Sequence, residues 1–385
     1  MRFVLEGVGL ATGGGKELAL ALIPRMLAHR EHQFLLVLPG LPEYGDFQGG
    51  NARELPRPIG ASLPSRFFFL NRELPRICAE AKADALLCLG NFAPRRPTCP
   101  TVLLLQNAWL VYPSPVPPGM LTVRERLIAC YGRYALKRLS PPVRVVVQTP
   151  IMRERVLSVS NLNPEMVAVV PSSLLMDSLA LDDVRPHPLG GGAFTFLCLA
   201  HYHAHKNLEV LIPAVKRLPE LVSEPAQCLI TISPDQHPGA RKLIKRIEDD
   251  HLAHLVFNIG PVPANERSRV YRSADAFILP TLLETFSFTY LEAMHFGLPI
   301  LTSDRDFAHD RCQDAAVYFD PLNADSVAEA MASVMGSEGL RRQLVGNGAR
   351  IVAQTPTWDE IATRFVEVLE RAAMGKPVNG QADNA

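Results

Sequence analysis

The chain has 385 residues, a length that is too great for one ordinary hydrophobic core and predicts two domains of about 150–200 residues each. Its 48% hydrophobic and 20% charged residues are those of a soluble globular protein. No apolar run approaches the roughly 20 residues that a membrane-spanning helix needs, and residues 1–10 lack the apolar region of a signal peptide. Seven cysteines without a C-x-x-C pair predict reduced thiols in a cytoplasmic protein, with no disulfide or zinc framework.

The net charge of zero hides an uneven distribution. Residues 1–150 contain 18 Lys and Arg against 10 Asp and Glu, which leaves 21 against 29 for the rest of the chain. Much of the basic excess lies between Arg124 and Arg144, where six basic residues accompany one acid, Glu125. Such a stretch can contact an anionic acceptor or, peripherally, an anionic membrane surface, or it can be the solvated face of a helix. The sequence leaves these interpretations open, and we expect no nucleic-acid partner.

Apolar runs alternate with helix-like segments throughout the chain, a pattern typical of α/β domains built on parallel sheets. In the first half, the apolar face formed by Leu18, Leu22 and Met26 predicts a helix over about Glu17–His29. A segment rich in Gly and Pro, residues 40–64, follows the second strand and is too irregular to assign. The predicted strands of this half are Phe3–Leu5, Phe34–Leu38, Ala85–Leu89, Thr101–Leu105 and Val143–Gln148.

A glycine-rich segment, GVGLATGGGK from Gly7 to Lys16, follows the first predicted strand. As a dinucleotide-binding G-x-G-x-x-G loop it fails at Thr12, and no acid ends the second strand to hold a ribose. As a Walker A loop it fails because Leu10 stands in place of the first glycine and Glu17 follows the lysine. The segment therefore supports neither a dinucleotide nor an ATP site, and a phosphate-approaching loop and a plain tight turn both stay open.

The first domain, residues 1–171, is predicted to close with a strand at Val167–Pro171, and residues 172–192 form a linker that ends in three glycines. A second domain, residues 193–356, follows with its own alternation of strands and helices. After Trp358 we predict an amphipathic helix over about Asp359–Ala373, and the polar residues 374–385 form a frayed tail. The predicted strands of the second domain are Phe194–Ala200, Cys228–Ser233, Val256–Ile259, Ala276–Leu279, Ile300–Thr302 and Val317–Phe319.

The stretch PTLLETFSFTYLEAMHFGLPILT, residues 280–302, carries two glutamates, Glu284 and Glu292, with seven residues between them. Glu284 lies in the loop after a strand, and Glu292 lies about one turn into a helix that begins near Ser287, so both carboxylates can face one cleft. The helix start between them offers backbone N–H groups and a positive dipole end, which suit a phosphate. Two hydroxyl acceptors beside a phosphate seat favour a nucleotide diphosphate sugar, whereas two solvated surface acids are the plain alternative.

A second informative loop, residues 201–207 (HYHAHKN), follows the strand Phe194–Ala200. Lys206 thus emerges at the carboxyl end of a strand, where open α/β sheets bind ligands. The three histidines at 201, 203 and 205 alternate, but no acid or cysteine completes a metal-binding set, so we predict no metal there. The sequence Asp304-Arg305-Asp306 resembles a metal-binding D-x-D motif, but it follows a strand of the second domain and we interpret it as a loop.

The spacing of Glu284 and Glu292 and the residues around them resemble the E-x(7)-E motif of the retaining glycosyltransferases of family 4. The likeness is good over residues 193–372 and loose in the first half. It implies an α/β protein of the GT-B fold, with two facing Rossmann-like domains and a cleft between them. It also implies that Glu292 binds the ribose hydroxyls, that Glu284 holds the transferred sugar, and that the backbone N–H groups of Phe286 and Ser287 bind the diphosphate.

The same resemblance implies roles for residues in other loops. Lys206 matches a family lysine that contacts the donor pyrophosphate, whereas His201 replaces the usual arginine and is expected to assist when a diphosphate holds it protonated. The helix over residues 357–373 is expected to return to the N-terminal domain. The remaining implied donor contacts are Thr285, the backbone at Val262, and the glycine loop at Gly14 and Gly15.

The implied activity is transfer of a hexosyl group, with retention and with neither a cofactor nor a required metal, from a nucleotide diphosphate sugar to a glycan or lipid-linked acceptor. Cell-surface polysaccharide synthesis at the inner membrane face is the expected setting. Two alternatives stay open: a sugar-nucleotide epimerase of the same architecture, and a non-catalytic nucleotide-sugar or glycan-binding relative. The replaced arginine at His201 favours the last alternative, as does Gln106, which stands where many relatives have a histidine.

Overall fold

A computed structural model describes residues 1–379 except 12, 46, 48–49, 58–62, 113–122, 140 and 176–191. Most of the predicted linker 172–192 and half of the predicted tail 374–385 therefore lie outside the described residues. The described residues form two compact units. The first unit lies within Met1–Pro113, Val123–Ser173 and Pro356–Ala385, and the second lies within Leu174–Thr355.

The first unit is built on a seven-stranded parallel sheet with the strand order β3-β2-β1-β4-β5-β6-β7. Its central strands are apolar on both faces, because helices cover both sides of a parallel sheet. All four residues of β4, for example, are apolar and buried. The strands are β1 (Arg2–Glu6), β2 (Gln33–Val37), β3 (Ala52–Glu54), β4 (Ala85–Cys88), β5 (Thr101–Leu104), β6 (Val143–Val147) and β7 (Val167–Val169).

Two features of this unit differ from the sequence prediction. Helix α1 (Gly13–Met26) begins four residues before the predicted Glu17, because the glycines adopt a helical backbone after Gly13, whose φ is 73°. The edge strand β3 lies inside residues 40–64, where no element was assigned, and only three residues pair with β2. The other helices of the unit are α2 (Leu63–Phe68), α3 (Leu74–Ala81), α4 (Val123–Lys137), α5 (Pro150–Val159) and α13 (Trp358–Ala373), with a π-helical turn, Phe69–Glu73, between α2 and α3.

Helix α13, the last helix in the described part of the chain, packs against α1 in the first unit. Its buried face includes Ile361, Phe365 and Leu369. Just beyond it, the guanidinium of Arg144 donates hydrogen bonds to the carbonyl of Lys376 from Nε at 3.1 Å and from Nη2 at 3.0 Å. Arg144 is 4% exposed, so this member of the basic stretch ties the chain end to the sheet and does not contribute to a surface.

The second unit contains a six-stranded parallel sheet with the order β10-β9-β8-β11-β12-β13, and one continuous apolar core covers it. Its strands are β8 (Phe194–Cys198), β9 (Ala226–Ile230), β10 (Val256–Asn258), β11 (Ala276–Leu279), β12 (Ile300–Ser303) and β13 (Ala316–Phe319). Its helices are α6 (Leu211–Arg217), α7 (Pro238–Asp249), α8 (Arg267–Tyr271), α9 (Phe288–His295), α10 (Asp306–Cys312), α11 (Ala324–Gly336) and α12 (Glu338–Ala353).

Both sheets have the strand order of the doubly wound fold, so the predicted α/β class is confirmed. The direction of winding reverses between β1 and β4 in the first unit and between β8 and β11 in the second. Loops that leave the carboxyl ends of such neighbouring strands separate and open a crevice, which is where this kind of sheet binds ligands. The two crevices therefore indicate where functional side chains should be sought.

Candidate functional site

Two loops meet at the crevice of the second unit, one after β8 and one after β11. The N–H of Leu282 donates to the carbonyl of His205 at 2.7 Å, and the Thr281 hydroxyl donates to the same carbonyl at 3.3 Å. Asn207 has a left-handed backbone, with φ of 55°, and its Nδ2 donates to the carbonyl of Pro321 at 2.7 Å. The two bonds to His205 hold the loops after β8 and β11 together, and the bond to Pro321 ties the first of them to the segment after β13. Side chains that are distant in sequence therefore share one site.

Lys206 and Glu284 form the central ion pair of this site. The Lys206 ammonium donates a hydrogen bond to Oε1 of Glu284. The lysine side chain is 15% exposed and the glutamate side chain 12%, so the pair is largely shielded but can still be reached by a ligand. Glu284 is therefore not the solvated surface acid of the plain alternative.

The start of α9 follows Glu284 closely. Phe286 is buried, whereas Thr285 and Ser287 are partly exposed. Ser287, the residue before the helix, has φ of 57° and ψ of 91°, an unusual conformation for a residue other than glycine. Its hydroxyl lies 3.1 Å from that of Thr289 and does not cap the helix. The Tyr290 N–H donates to the carbonyl of Ser287 at 3.2 Å, and the positive end of the helix dipole at this turn suits an anion.

Glu292 has different surroundings from Glu284. Its side chain is 1% exposed, and its Oε2 accepts a hydrogen bond from the Tyr271 hydroxyl at 2.7 Å. Nη1 of Arg267 lies 3.4 Å from Oε1. Glu292 is thus a buried acid with cationic and hydroxyl neighbours rather than an open acceptor. A carboxylate has about four acceptor positions, so a ribose hydroxyl can still be accommodated, and that role stays a prediction.

The three histidines of the loop after β8 lie in a row. The ring centroids of His201 and His203 are 5.1 Å apart, and those of His203 and His205 are 5.3 Å apart with nearly parallel planes. Partial burial and the charge of Lys206 lower the pKa of His201, which is therefore neutral near pH 7. Burial, with the same lysine and His203, lowers the pKa of His205 well below its ordinary value. Lys206 thus supplies a fixed positive charge in this loop.

Three further residues belong to this region and were not found from the sequence. Arg267 and Tyr271 contact Glu292, as described above, and both lie on α8. The guanidinium of Arg311, on α10, lies 4.3 Å from the ring centre of Phe286. Burial lowers the pKa of Arg311 to about 10, so the side chain remains charged, and its Nε and Nη2 have no acceptor in the described part of the chain. No local sequence pattern indicates that these residues belong to the site.

The remaining candidate residues have ordinary structural surroundings. Val262, in the loop after β10, packs against the core of the second unit. Gly14 and Gly15 belong to the first turn of α1 in the first unit, and a Cβ on Gly15 would lie 2.9 Å from Leu10 Cδ2. Oδ1 of Asp304 accepts a hydrogen bond from Nε2 of His309 at 2.7 Å, and Asp306 begins α10. Within the described ranges, no group of three His, Cys, Asp or Glu side chains is arranged to hold a metal ion.

The comparison with solved structures identifies the fold. Sucrose-phosphate synthase from Thermosynechococcus elongatus superposes with a TM-score of 0.74 at 15% identity, covering 97% of this chain and 99% of that chain. HepE from Anabaena, solved in complex with UDP and glucose, superposes with a TM-score of 0.70 at 15% identity, covering 96% and 99%. The predicted GT-B fold class is therefore confirmed.

The sequence comparisons concern the second unit. Residues 182–351 match the model of the glycosyl transferases group 1, so the predicted resemblance to such enzymes is confirmed. Phosphatidyl-myo-inositol mannosyltransferase from Mycobacterium leprae is 27% identical over 209 residues, which are 53% of this chain and 53% of that protein. The chain spans about half the length of the curated relatives that it matches. In the described part of the chain, no helix is both long enough and apolar enough to cross a membrane.

Proposed function

We propose that this chain is a retaining glycosyltransferase that moves a hexosyl group from a nucleotide diphosphate sugar to a glycan or lipid-linked acceptor, with no required metal. The observation that carries the proposal is the Lys206–Glu284 ion pair beside the start of α9, at the crevice of a group 1 glycosyltransferase domain. Relatives support it, since one is a mannosyltransferase and the structure of another contains UDP and glucose. We assign the reaction to cell-surface polysaccharide synthesis, on the cytoplasmic side.

Donor binding begins with an exchange of partners. In the free chain Lys206 neutralises Glu284, whereas a diphosphate offers the lysine a larger negative charge at the same crevice. Once Lys206 turns toward the diphosphate, an oxygen of Glu284 becomes available for hydroxyls of the transferred sugar. Glu292, buried against Arg267 and Tyr271, accepts from the ribose hydroxyls.

The leaving group is stabilised electrostatically. Negative charge on the departing diphosphate faces Lys206 and the N–H groups of Phe286 and Ser287 at the start of α9, with Thr285 alongside. Arg311, charged and stacked on Phe286, adds positive potential behind this turn. A bound diphosphate raises the pKa of His201 and gives this side chain a supporting role.

The transfer step needs no enzyme nucleophile. An acceptor hydroxyl attacks the anomeric carbon from the face that the diphosphate leaves, the new C–O bond forms, and the bond to the phosphate oxygen breaks. The hydroxyl proton passes to the departing phosphate, so charge and atoms balance without a side-chain base. The backbone of Gly14 and Gly15 and of Val262 would complete the contacts of the donor.

A non-catalytic nucleotide-sugar-binding protein is the second candidate. It is favoured by His201, because a histidine with a lowered pKa does not replace the charge of an arginine in the free chain. Such a protein would bind the donor but release no nucleotide.

The test combines binding with product analysis. Calorimetric titration with UDP, GDP and ADP and their sugars is expected to identify one nucleotide that binds well. The matching labelled donor should then transfer its sugar, in the presence of EDTA, to an acceptor panel, and proton NMR of the product should show the anomeric configuration of the donor. Inversion would contradict the retaining mechanism, and binding with no transfer or hydrolysis would favour the second candidate.

A further inference from the structure

A large cavity lies in the first unit. Its volume is about 1220 Å³, more than the 300–1,000 Å³ of most small-molecule pockets. It is bounded by the sheet, by the segment from α2 to the π-helical turn, and by α4. Glu6, which ends β1, and Gly90, which lies just after β4, line the cavity. The cavity therefore opens at the crevice where the winding of this sheet reverses.

The cavity extends along the strands. At one end it is lined by Glu6, Gly90 and Leu105, near the carboxyl ends of β1, β4 and β5. At the other end it is lined by Pro142 and Val143, at the amino end of β6. In a parallel sheet these ends are separated by one strand length, about 13–17 Å for four or five residues. A long, narrow ligand fits this shape better than a compact one.

Apolar side chains form most of the wall. On α2, Phe67 is 41% exposed and Phe68 is 57% exposed, and on α4, Leu127 is 61% exposed. Tyr131 and Tyr134 of α4 also line the cavity and are exposed. Large apolar side chains that are clustered and uncovered mark a binding surface rather than a packed core.

The charges in the wall are almost all positive. Four arginines line the cavity within the described ranges: Arg66, Arg95, Arg96 and Arg138. The position of Arg66 depends on Gly9, because a Cβ on Gly9 would lie 2.0 Å from Nη2 of this arginine. Arginines are the preferred partners of phosphate, since the guanidinium donates two parallel hydrogen bonds.

Glu6 is the one acid in the described lining of the cavity. Its side chain is buried, Oε1 accepts the N–H of Val8 at 3.0 Å, and Oε2 has no hydrogen-bond partner in the described part of the chain. Burial raises the pKa of Glu6 to about 7, although Val8 and Arg66 act in the opposite direction. Buried polar atoms are rarely left unpaired, so this oxygen indicates a hydrogen-bonding group supplied by a ligand.

We infer that this cavity binds the acceptor of the proposed transferase as an amphiphile, with a hydrocarbon chain along the sheet, a phosphate on the arginines, and a head-group hydroxyl on Glu6. That the ligand is the acceptor rests on the proposed function, whereas the chemical class of the ligand rests on the cavity alone. A soluble glycan has no chain to fill the apolar length of the cavity, so it would leave the exposed rings uncovered.

The test uses alkyl phosphates below their critical micelle concentrations. Both tryptophans of the chain, Trp109 and Trp358, belong to the first unit, and Leu110 lines the cavity, so tryptophan fluorescence reports binding. Affinity is expected to rise by about tenfold for each two methylenes from octyl to decyl to dodecyl phosphate. Dodecanol and inorganic phosphate, which each lack one half of the ligand, should bind much more weakly than dodecyl phosphate.

Two variants of α4 locate the binding. Ala135 lines the cavity, and Ala135→Phe should abolish binding of dodecyl phosphate by filling the space. Cys130 lies on the same helix, is exposed and does not line the cavity, so Cys130→Phe should leave the affinity unchanged. If Ala135→Phe does not fold, Leu127→Gln replaces it, because Leu127 is an exposed residue that lines the cavity. This variant should also bind dodecyl phosphate more weakly than Cys130→Phe does.

The role of Glu6 is tested with a second probe. Dodecyl glycerol phosphate, which adds a hydroxyl beside the phosphate, should bind more tightly than dodecyl phosphate, and Glu6→Leu should remove that difference. Affinity that is independent of chain length, or equal in Ala135→Phe and wild type, would overturn the inference. Binding that depends on the length of the alkyl chain, without sugar transfer, would support the cavity as a ligand site and count against the proposed function. Sugar transfer to a soluble glycan alone would support the proposed function and count against the amphiphilic acceptor.

Discussion

Nζ of Lys206 donates a hydrogen bond to Oε1 of Glu284, and this contact joins two loops whose residues are 78 positions apart in the sequence. It makes Lys206→Ala an informative variant. If the lysine stabilises the departing diphosphate, its loss should lower kcat by about 10²–10³, the usual cost of removing one such donor. Lys245→Ala, which breaks the exposed Lys245–Asp249 pair, is the matched control and should leave turnover unchanged. Near-normal turnover of Lys206→Ala would remove Lys206 from the mechanism.

Two conservative variants distinguish the role of Glu292 from that of Tyr271. Glu292→Gln removes the charge and one acceptor and is expected to weaken nucleotide binding by about tenfold, since a hydrogen bond to a charged group contributes about 1.5–3 kcal/mol. Tyr271→Phe removes only the hydroxyl that donates to Glu292, so donor affinity should be kept while the protein loses about 1 kcal/mol of stability. Calorimetric titration with the nucleotide measures the first effect and thermal unfolding the second. Equal donor affinities for wild type and Glu292→Gln would contradict the ribose role.

Ser287 has a backbone conformation that costs a residue with a Cβ about 1–2 kcal/mol. Ser287→Gly should relieve this strain, and part of the gain is offset because glycine loses more entropy on folding. We expect a net increase of up to about 1 kcal/mol in the free energy of unfolding, whereas Ser287→Val should be destabilising. Scanning calorimetry gives both values, and a destabilised glycine variant would show that the serine side chain is needed for the loop.

Arg311 should support the anion site without touching the sugar. Arg311→Met keeps much of the packing against Phe286 and removes the charge, so affinity for a nucleoside diphosphate should fall by about tenfold. Affinity for the nucleoside alone should not change, because it carries no phosphate. The affinity of Arg311→Lys for the nucleoside diphosphate is expected to lie between those of wild type and Arg311→Met. A loss that is equal for nucleoside and nucleotide would indicate a structural role only.

Glu6 predicts a pH-dependent stability of the first unit. The pKa of Glu6 is about 7 in the folded protein and near the ordinary glutamate value of about 4.5 in the unfolded chain, so the folded state binds the proton more tightly. The contribution to stability is therefore complete below the unfolded pKa and is lost as pH rises toward 7, by about 3 kcal/mol. Glu6→Gln should abolish this dependence. Urea unfolding followed by tryptophan fluorescence isolates the unit, since both tryptophans belong to it. A pH profile that is the same in wild type and variant would contradict a buried, protonated Glu6.

The strands and the glutamate motif were predictable because each is encoded by neighbouring residues. Ala276–Leu279 is a strand with the predicted bounds, and the helix that carries Glu292 begins at Phe288, one residue from the prediction. Local pattern failed where glycine permits several conformations, as at the start of α1, and where a short edge strand has little apolar signal, as at β3.

The sequence by itself therefore determined the fold class, and it predicted two domains and the loops that carry candidate side chains. The tertiary structure alone decided which of these side chains meet. It paired Lys206 with Glu284 and buried Glu292 against α8, and it left one oxygen of Glu6, in the wall of a cavity, without a partner among the residues that the structure describes. The reason is physical: periodic patterns arise from residues a few positions apart, whereas such contacts depend on how the strands are ordered across a sheet.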